Sequence, residues 1–335
     1  MRKFKGVFRN WVPALAATLA VVGACPQALA QAGAPSAAEI AAYPAKPVEL
    51  IVQFPAGSSA DVVARVLADN MSRSLGKNVV VINRPGAGGA LAYKYVQSQK
   101  PDGYTLVFNS NSVSTTYHSG LMPFDYKAFD PIARVTIENP VIAVRKDSPW
   151  NSLKDMMAFA EKNPGAIKLG NSGTGSHTHI TAVAFFTGQK AEVLHVPFAA
   201  AQVVPSLLGA HIDALVQLPS ALAPHVRAGT VKILGAMSTE RDPAFPAVPT
   251  AMEQGFSFQA EMWRGVAAPR GTPAPILAKL EAAVQAAVTS ADFKTHGEKS
   301  GFLPAFQPGR DFMRTIASDD KLLAEMMTKT GLKVN

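Results

Sequence analysis

Two stretches of this 335-residue chain set glycine and hydroxyl-bearing residues where an apolar run gives way to an amphipathic one. The first reads Phe54-Pro55-Ala56-Gly57-Ser58-Ser59-Ala60-Asp61, the second Asn171-Ser172-Gly173-Thr174-Gly175-Ser176-His177-Thr178-His179. A helix that starts in such a turn leaves its first N–H groups unpaired, and those groups, with the helix dipole, attract an anion. In the first stretch Gly57 lets the backbone turn or approach a ligand closely. Ser58 or Ser59 can cap the helix, and Asp61 falls in its first turn, where a carboxylate is favoured. Ordinary capping accounts for this stretch equally well when it is taken alone. In the second, two glycines and four hydroxyl residues can turn several N–H groups onto one point, as in an anion nest; a glycine-rich turn with a serine cap is the alternative. Matched turns of this kind argue for an anion held between them without an opposing Lys or Arg. A third cluster, Arg84-Pro85-Gly86-Ala87-Gly88-Gly89, has the wrong glycine spacing for a dinucleotide fingerprint and follows the second expected strand, so it reads as a structural loop.

Catalytic constellations are weaker. The chain holds no G-x-S-x-G elbow, no H-E-x-x-H and no G-x-x-x-x-G-K-[ST]. His177 and His179 stand two apart, on different faces of a starting helix, and are unsuited to sharing a metal. His195, His211 and His225 are isolated in sequence. No cofactor or metal is expected. A secreted serine hydrolase built on Ser176, a histidine and an acid such as Asp61 is the competing reading, although no spacing compels it.

Charge and export narrow the class. The formal net charge is +8, of which four come from Arg2, Lys3, Lys5 and Arg9 in the first thirty residues. The remaining excess is spread thinly, unlike the clustered basic residues and interleaved aromatics of nucleic-acid binders, so no nucleic-acid partner is expected. A mild positive bias suits anionic solutes. The basic start, the apolar run from Trp11 to Val22 and Ala28-Leu29-Ala30 form a signal peptide over 1–30, with Gln31 as the new N-terminus. Val22-Gly23-Ala24-Cys25 offers a lipoprotein box instead, with Pro26 against it; both place the protein outside the cytoplasm, in the periplasm. Cys25 is the single cysteine, so cleavage after Ala30 leaves no disulfide or thiolate site.

The elements that must carry the two turns follow from hydrophobic period. Residues 31–43 read as a flexible lead-in. Beyond them strands are expected over 48–54, 79–83, 105–109, 167–171, 192–197, 214–218, 231–237 and 262–267. Helices are expected over 60–75, 90–97, 152–161, 176–186, 204–209, 273–288 and 309–327. The segment 132–145 reads as extended, broken at Asn139-Pro140. Such alternation predicts mostly parallel sheets covered on both faces. Two runs of it, joined by extended segments, predict two doubly wound lobes linked by two crossovers: 44–140 with 239–335, and 141–238.

An ordered series of motifs resembles the tripartite tricarboxylate transporter substrate-binding family, the Bug receptors. It includes Tyr43-Pro44, Lys46-Pro47-Val48, Phe54-Pro55-Ala56-Gly57 ahead of Asp61, and the run from Val80 through Asn83-Arg84-Pro85 to Gly89. It continues through Pro101-Asp102-Gly103-Tyr104-Thr105-Leu106, Phe129-Asp130-Pro131-Ile132, Ser172-Gly173-Thr174-Gly175-Ser176 with His179, and His195-Val196-Pro197-Phe198. Val248-Pro249-Thr250, Trp263 with Gly265, Ala268-Pro269 and Gly271-Thr272-Pro273 complete it. The resemblance implies a type II periplasmic-binding-protein fold and a receptor, not an enzyme, that hands a carboxylate-bearing solute to membrane permease subunits. A sensory adaptor that binds a ligand for a signalling protein is the further alternative. Carried over by position, ligand contacts come from Phe54, Ala56, Gly57, Ser58 and Ser59, with Asp61, on one lobe, and from Ser172, Gly173 and Ser176 on the other, with Pro197 and Phe198 at the side. Ser58 stands where the family usually has a second glycine, and Phe198-Ala199-Ala200-Ala201 where it has a Tyr-Lys-Gly-like loop. The resulting apolar wall implies a ligand with a hydrocarbon or aromatic body.

Overall fold

The first strand shows how the chain sorts itself. In Val48–Val52 the side chains of Leu50 and Val52 join one core and that of Ile51 another, because successive residues of a strand face opposite sides of the sheet. Leu50 and Val52 pack with Val63 and Leu67 of the helix Ser59–Leu75 and Leu280 of the helix Ala274–Thr289; Ile51 packs with Ala92 and Tyr93 of the helix Ala90–Gln97. A strand buried on both faces needs apolar residues on both, which Leu50-Ile51-Val52 supply; Glu49 is the one partly exposed position.

The computed structural model describes residues 35–333; the expected signal peptide, its cleavage point and Cys25 lie outside them. In chain order the strands are β1 (Val48–Val52), β2 (Val79–Asn83), β3 (Thr105–Ser110), β4 (Phe129–Glu138), β5 (Val141–Arg145) and β6 (Lys168–Asn171). They continue with β7 (Leu194–Pro197), β8 (Ala214–Gln217), β9 (Val231–Ala236), β10 (Met262–Pro269) and β11 (Leu303–Pro308). Two sheets result, a six-stranded one in the order β11-β4-β10-β3-β1-β2 and a five-stranded one in the order β7-β6-β8-β5-β9. The second sheet repeats the sorting, with Ile142 and Val144 of β5 in one core and Val141 and Ala143 in the other.

The chain passes from the first sheet to the second at Asn139-Pro140, where proline lacks the N–H a ladder needs, and returns between β9 and β10. Main chain joins the two passages: Met237 N–H donates to the Pro140 carbonyl at 2.8 Å.

Three expectations need correcting. The sheets are mixed, not mostly parallel: β10 runs antiparallel to β3 and β4, β11 to β4, and β5 to β8 and β9. Strands β4, β5 and β10 flank the passages between sheets, and a chain arriving from the other sheet enters against the direction of the βαβ units. The stretch 239–260, expected with the first sheet, packs on the second, with Ala251 in its core, half-buried Phe256 and Phe258 against that core, Thr250 bridged to Ala236, and Gln254 Nε2 donating to the Leu234 carbonyl at 3.0 Å. The expected lead-in contains a short helix, Ala37–Ala42, closed by a capping box in which Ser36 and Glu39 exchange side-chain and backbone hydrogen bonds.

Candidate functional site

The helix Ser59–Leu75 begins where β1 ends. Ser58 is its N-cap, accepting from the Asp61 N–H, and the N–H groups of Ser59 and Ala60 have no partner among the described residues. Asp61 faces its own loop. Its Oδ2 accepts from Gly57 N–H at 3.0 Å and Arg65 Nε at 2.9 Å, and its Oδ1 accepts from Asn83 Nδ2 at 3.0 Å. Burial alone would raise this carboxyl, but Arg65, the Gly57 N–H and Asn83 together hold it below the usual range.

The helix His177–Gly188 begins in the same way after β6. Ser176 is its N-cap, with Oγ accepting from His179 N–H at 3.3 Å. Three donors of the glycine loop, where an anion nest is expected, are engaged within the loop and its helix. Ser172 N–H donates to Thr178 Oγ1, Gly173 N–H to Asn171 Oδ1, and Gly175 N–H to His179 Nδ1. Among the described residues the donors left without a partner are that of exposed Thr174 and the first two of the helix itself, His177 and Thr178. Burial, with Arg264 adding to it, pushes the His177 imidazole down to about 4, so it is neutral near pH 7.

Both helix starts line one inner cavity, about 280 Å³ with the open solvent it adjoins, with Ser58, Ser59 and Ala60 on one side and Ser176, His177 and Thr178 on the other. Phe54, Ser172 and Ala200 line it too, and they also line an adjoining outer cleft of about 1040 Å³ that includes open solvent. The outer cleft is bounded by Gly173, Thr174, Pro197 and Phe198 and, opposite them, by Pro85 through Gly89.

Of the expected residues the structure therefore gathers Phe54, Ser58, Ser59, Ser172 and Ser176 at the inner cavity, and Gly173, Pro197 and Phe198 at the outer cleft. Ala56 and Gly57 are exposed and line neither, and Asp61 is turned into its loop, so these three are not cavity groups. The third glycine cluster, read as structural, borders the cleft instead.

Sequence reasoning missed the floor. Met262 and Arg264 of β10 line the inner cavity, and Arg264 is buried, its Nε donating to Glu138 Oε2 at 3.1 Å and its Nη2 to Ser59 Oγ at 2.8 Å. Glu138 Oε1 accepts from Ser220 N–H at 3.2 Å at the start of the helix Pro219–Arg227, and the hydroxyls of Ser220 and Ser59 are in contact. A buried guanidinium therefore lines the cavity that the two helix starts share, where the sequence predicts helix ends alone. A signal did exist for the arginine: Arg264 stands in an otherwise apolar strand, and a charge must find a partner when buried. Gln217 was missed as well; its Nε2 donates to Ser172 Oγ at 3.1 Å and fixes that hydroxyl at the cavity edge.

The hydrolase alternative finds no base. Ser176 Oγ meets the His179 N–H and Thr178 Oγ1, not an imidazole, and Asp61 is engaged by Arg65 and Asn83. Among the described residues no group of three His, Cys, Asp or Glu could hold a metal, and no helix is long and apolar enough to cross a membrane.

Two mixed sheets with helix starts converging on a cavity between them define a binding-protein architecture of the periplasmic type. Residues 63–332 match the tripartite tricarboxylate transporter family receptor, and the chain belongs to that family. It is 32% identical over 322 residues to Protein BugT of Bordetella pertussis, covering 94% of this chain and 98% of that one. It resembles the solved periplasmic binding protein BugD with a TM-score of 0.83 and 30% identity, covering 87% of this chain and 99% of that one. The R. palustris protein Rpa4515, solved with adipate, matches with a TM-score of 0.83 and 26% identity over 86% of this chain and 98% of its own. The chain is a solute-binding receptor of an extracytoplasmic family, not an enzyme.

Proposed function

We propose that this receptor captures a small carboxylate-bearing solute in the inner cavity and delivers it to the permease subunits of a tripartite tricarboxylate-type transporter. The observation that carries the reading is the pair of helix starts, at Ser59-Ala60 and His177-Thr178, whose unpartnered N–H groups line one cavity. The inner cavity is narrow and continues into the adjoining cleft, so the acid's carboxylate sits at the helix starts and its body extends outward. Phe54, Pro197, Phe198 and Ala200 at the adjoining cleft suit a hydrocarbon body. The two sheets act as lobes, residues 44–140 with 261–335 and residues 141–238 with the packed-on stretch 239–260, that close when the acid is held from both sides. Export depends on residues 1–30 as signal peptide.

The relative solved with adipate suggests the first probe. Isothermal calorimetry and thermal shift with adipate, malate, succinate and benzoate are expected to show binding by at least one acid, with the matching amide far weaker. An acid held at about 100 times its Kd adds about 2.7 kcal/mol of stability by mass action. Equal binding of acid and amide would overturn the carboxylate reading.

A further inference from the structure

Arg264 is 1% exposed and Glu138 likewise, and both lie within β-strands. Glu138 is saturated, its two oxygens meeting Arg264 Nε, the Ser59 hydroxyl, and the N–H and hydroxyl of Ser220. The counter-charge that Glu138 needs explains Arg264 Nε, and the Ser59 hydroxyl explains Nη2. Neither explains Nη1, which is buried with no partner. Buried donors are as a rule hydrogen-bonded, so an orphan on a cavity-lining guanidinium calls for an acceptor that the protein does not supply.

The geometry points to Arg264 as a ligand-contacting residue: we infer that Nη1 donates to an oxygen of the captured acid and so sets its depth and orientation. Because Nη2 is bonded to the side chain of Ser59, the guanidinium that carries Nη1 sits at the helix start that carries the Ser59 and Ala60 N–H groups. One carboxylate then takes the helix N–H groups on one oxygen and the guanidinium on the other. The buried Glu138 cancels the net charge of Arg264, so what the residue contributes is a donor of fixed direction. That makes it a determinant of which acid fits, since charge-assisted bonds to Arg are short and directional.

This inference rests on the proposed function, and the test separates the two. The acid that binds wild type most tightly among adipate, malate, succinate and benzoate is titrated calorimetrically into Arg264→Lys and into Glu138→Gln/Arg264→Gln. The first keeps the charge beside Glu138 without Nη1; the second removes both charges, so that no buried carboxylate is orphaned. Melts followed by circular dichroism establish that each variant is folded. Both variants are expected to lose roughly tenfold or more in affinity, the scale of one charge-assisted hydrogen bond. A folded double variant that binds within about twofold of wild type would show that Arg264 serves only as the counterion of Glu138. Wild-type affinity in Arg264→Lys would show that charge, not Nη1, is what the acid meets. If none of the four acids binds wild type, the proposed function itself falls, and the assignment of Arg264 with it.

Discussion

Replacing Gly88 by alanine separates the shape of the site from the stability of the fold. Gly88 has φ +64°, and a Cβ there would lie 2.9 Å from the Thr174 carbonyl oxygen, 3.2 Å from Gly175 C and 3.3 Å from Ser176 N. All three are backbone atoms of the loop ahead of the His177 helix, so no side chain can swing aside. Alanine at this φ also costs on the order of 1 kcal/mol wherever the loop keeps its conformation. The clash adds a cost only when the two loops are together. Relieving it requires a shift of a few tenths of an ångström, and overpacking of this kind costs about 1–3 kcal/mol. If the loops meet in the binding-competent form, that is a loss of roughly 5- to 150-fold in affinity. Gly57→Ala is the control: φ is +78°, yet nothing lies within 4 Å of its Cβ. Both variants are expected to melt a few degrees lower, about 2 °C or more per kcal/mol. Only Gly88→Ala is expected to lose affinity when the acid found by the calorimetric screen is titrated. Wild-type affinity in Gly88→Ala, or an equal loss in Gly57→Ala, would refute the reasoning.

Other outcomes are as specific. Asp61→Ala removes the acceptor of Gly57 N–H, Arg65 Nε and Asn83 Nδ2, and is expected to cost about 1–3 kcal/mol in urea unfolding, with affinity falling as the loop loosens. Acid should destabilise the fold: His177 and His179 are pushed to about 4, chiefly by burial, so the unfolded chain takes up protons first as pH drops from 6.5 toward 4. Each costs at most about 3 kcal/mol over that window, while Asp319, raised by burial to about 6, gains its proton in the folded state and offsets roughly one of them. Urea titrations at several pH values check the sign; stability that rises on acidification would contradict it. Intact-mass measurement of exported protein is expected to place the N-terminus at Gln31, and an acylated Cys25 would establish the lipoprotein route instead.

Local chemistry announces itself in sequence, whereas partners distant along the chain do not. The serine caps at Ser58 and Ser176 are legible because a hydroxyl before an amphipathic run has one common use. The break at Asn139-Pro140 is legible because proline interrupts a ladder. Strand β11 is not, since Leu303–Pro308 holds two prolines and only half-buried side chains at a sheet edge. The helix Pro219–Arg227 is short, with Pro224 inside it, and its role at Glu138 depends on a residue 82 positions away. The Arg264–Glu138 pair spans 126 positions, and no period of either strand marks it. Glycine misled for a related reason. Gly57 and Gly88 look alike in sequence, and only the opposing loop shows that Gly88 is the one in close approach.

The bond between Met237 and Pro140 involves main-chain atoms only. A joint of that kind is blind to side-chain identity, so mutation can redraw the walls of the cavity without touching the seam where the passages meet. The receptor thereby inherits its articulation separately from its taste. On the reading proposed above, descendants of one ancestral chain acquire new solutes by exchanging residues such as Phe198 or Arg264, while the seam stays as it was.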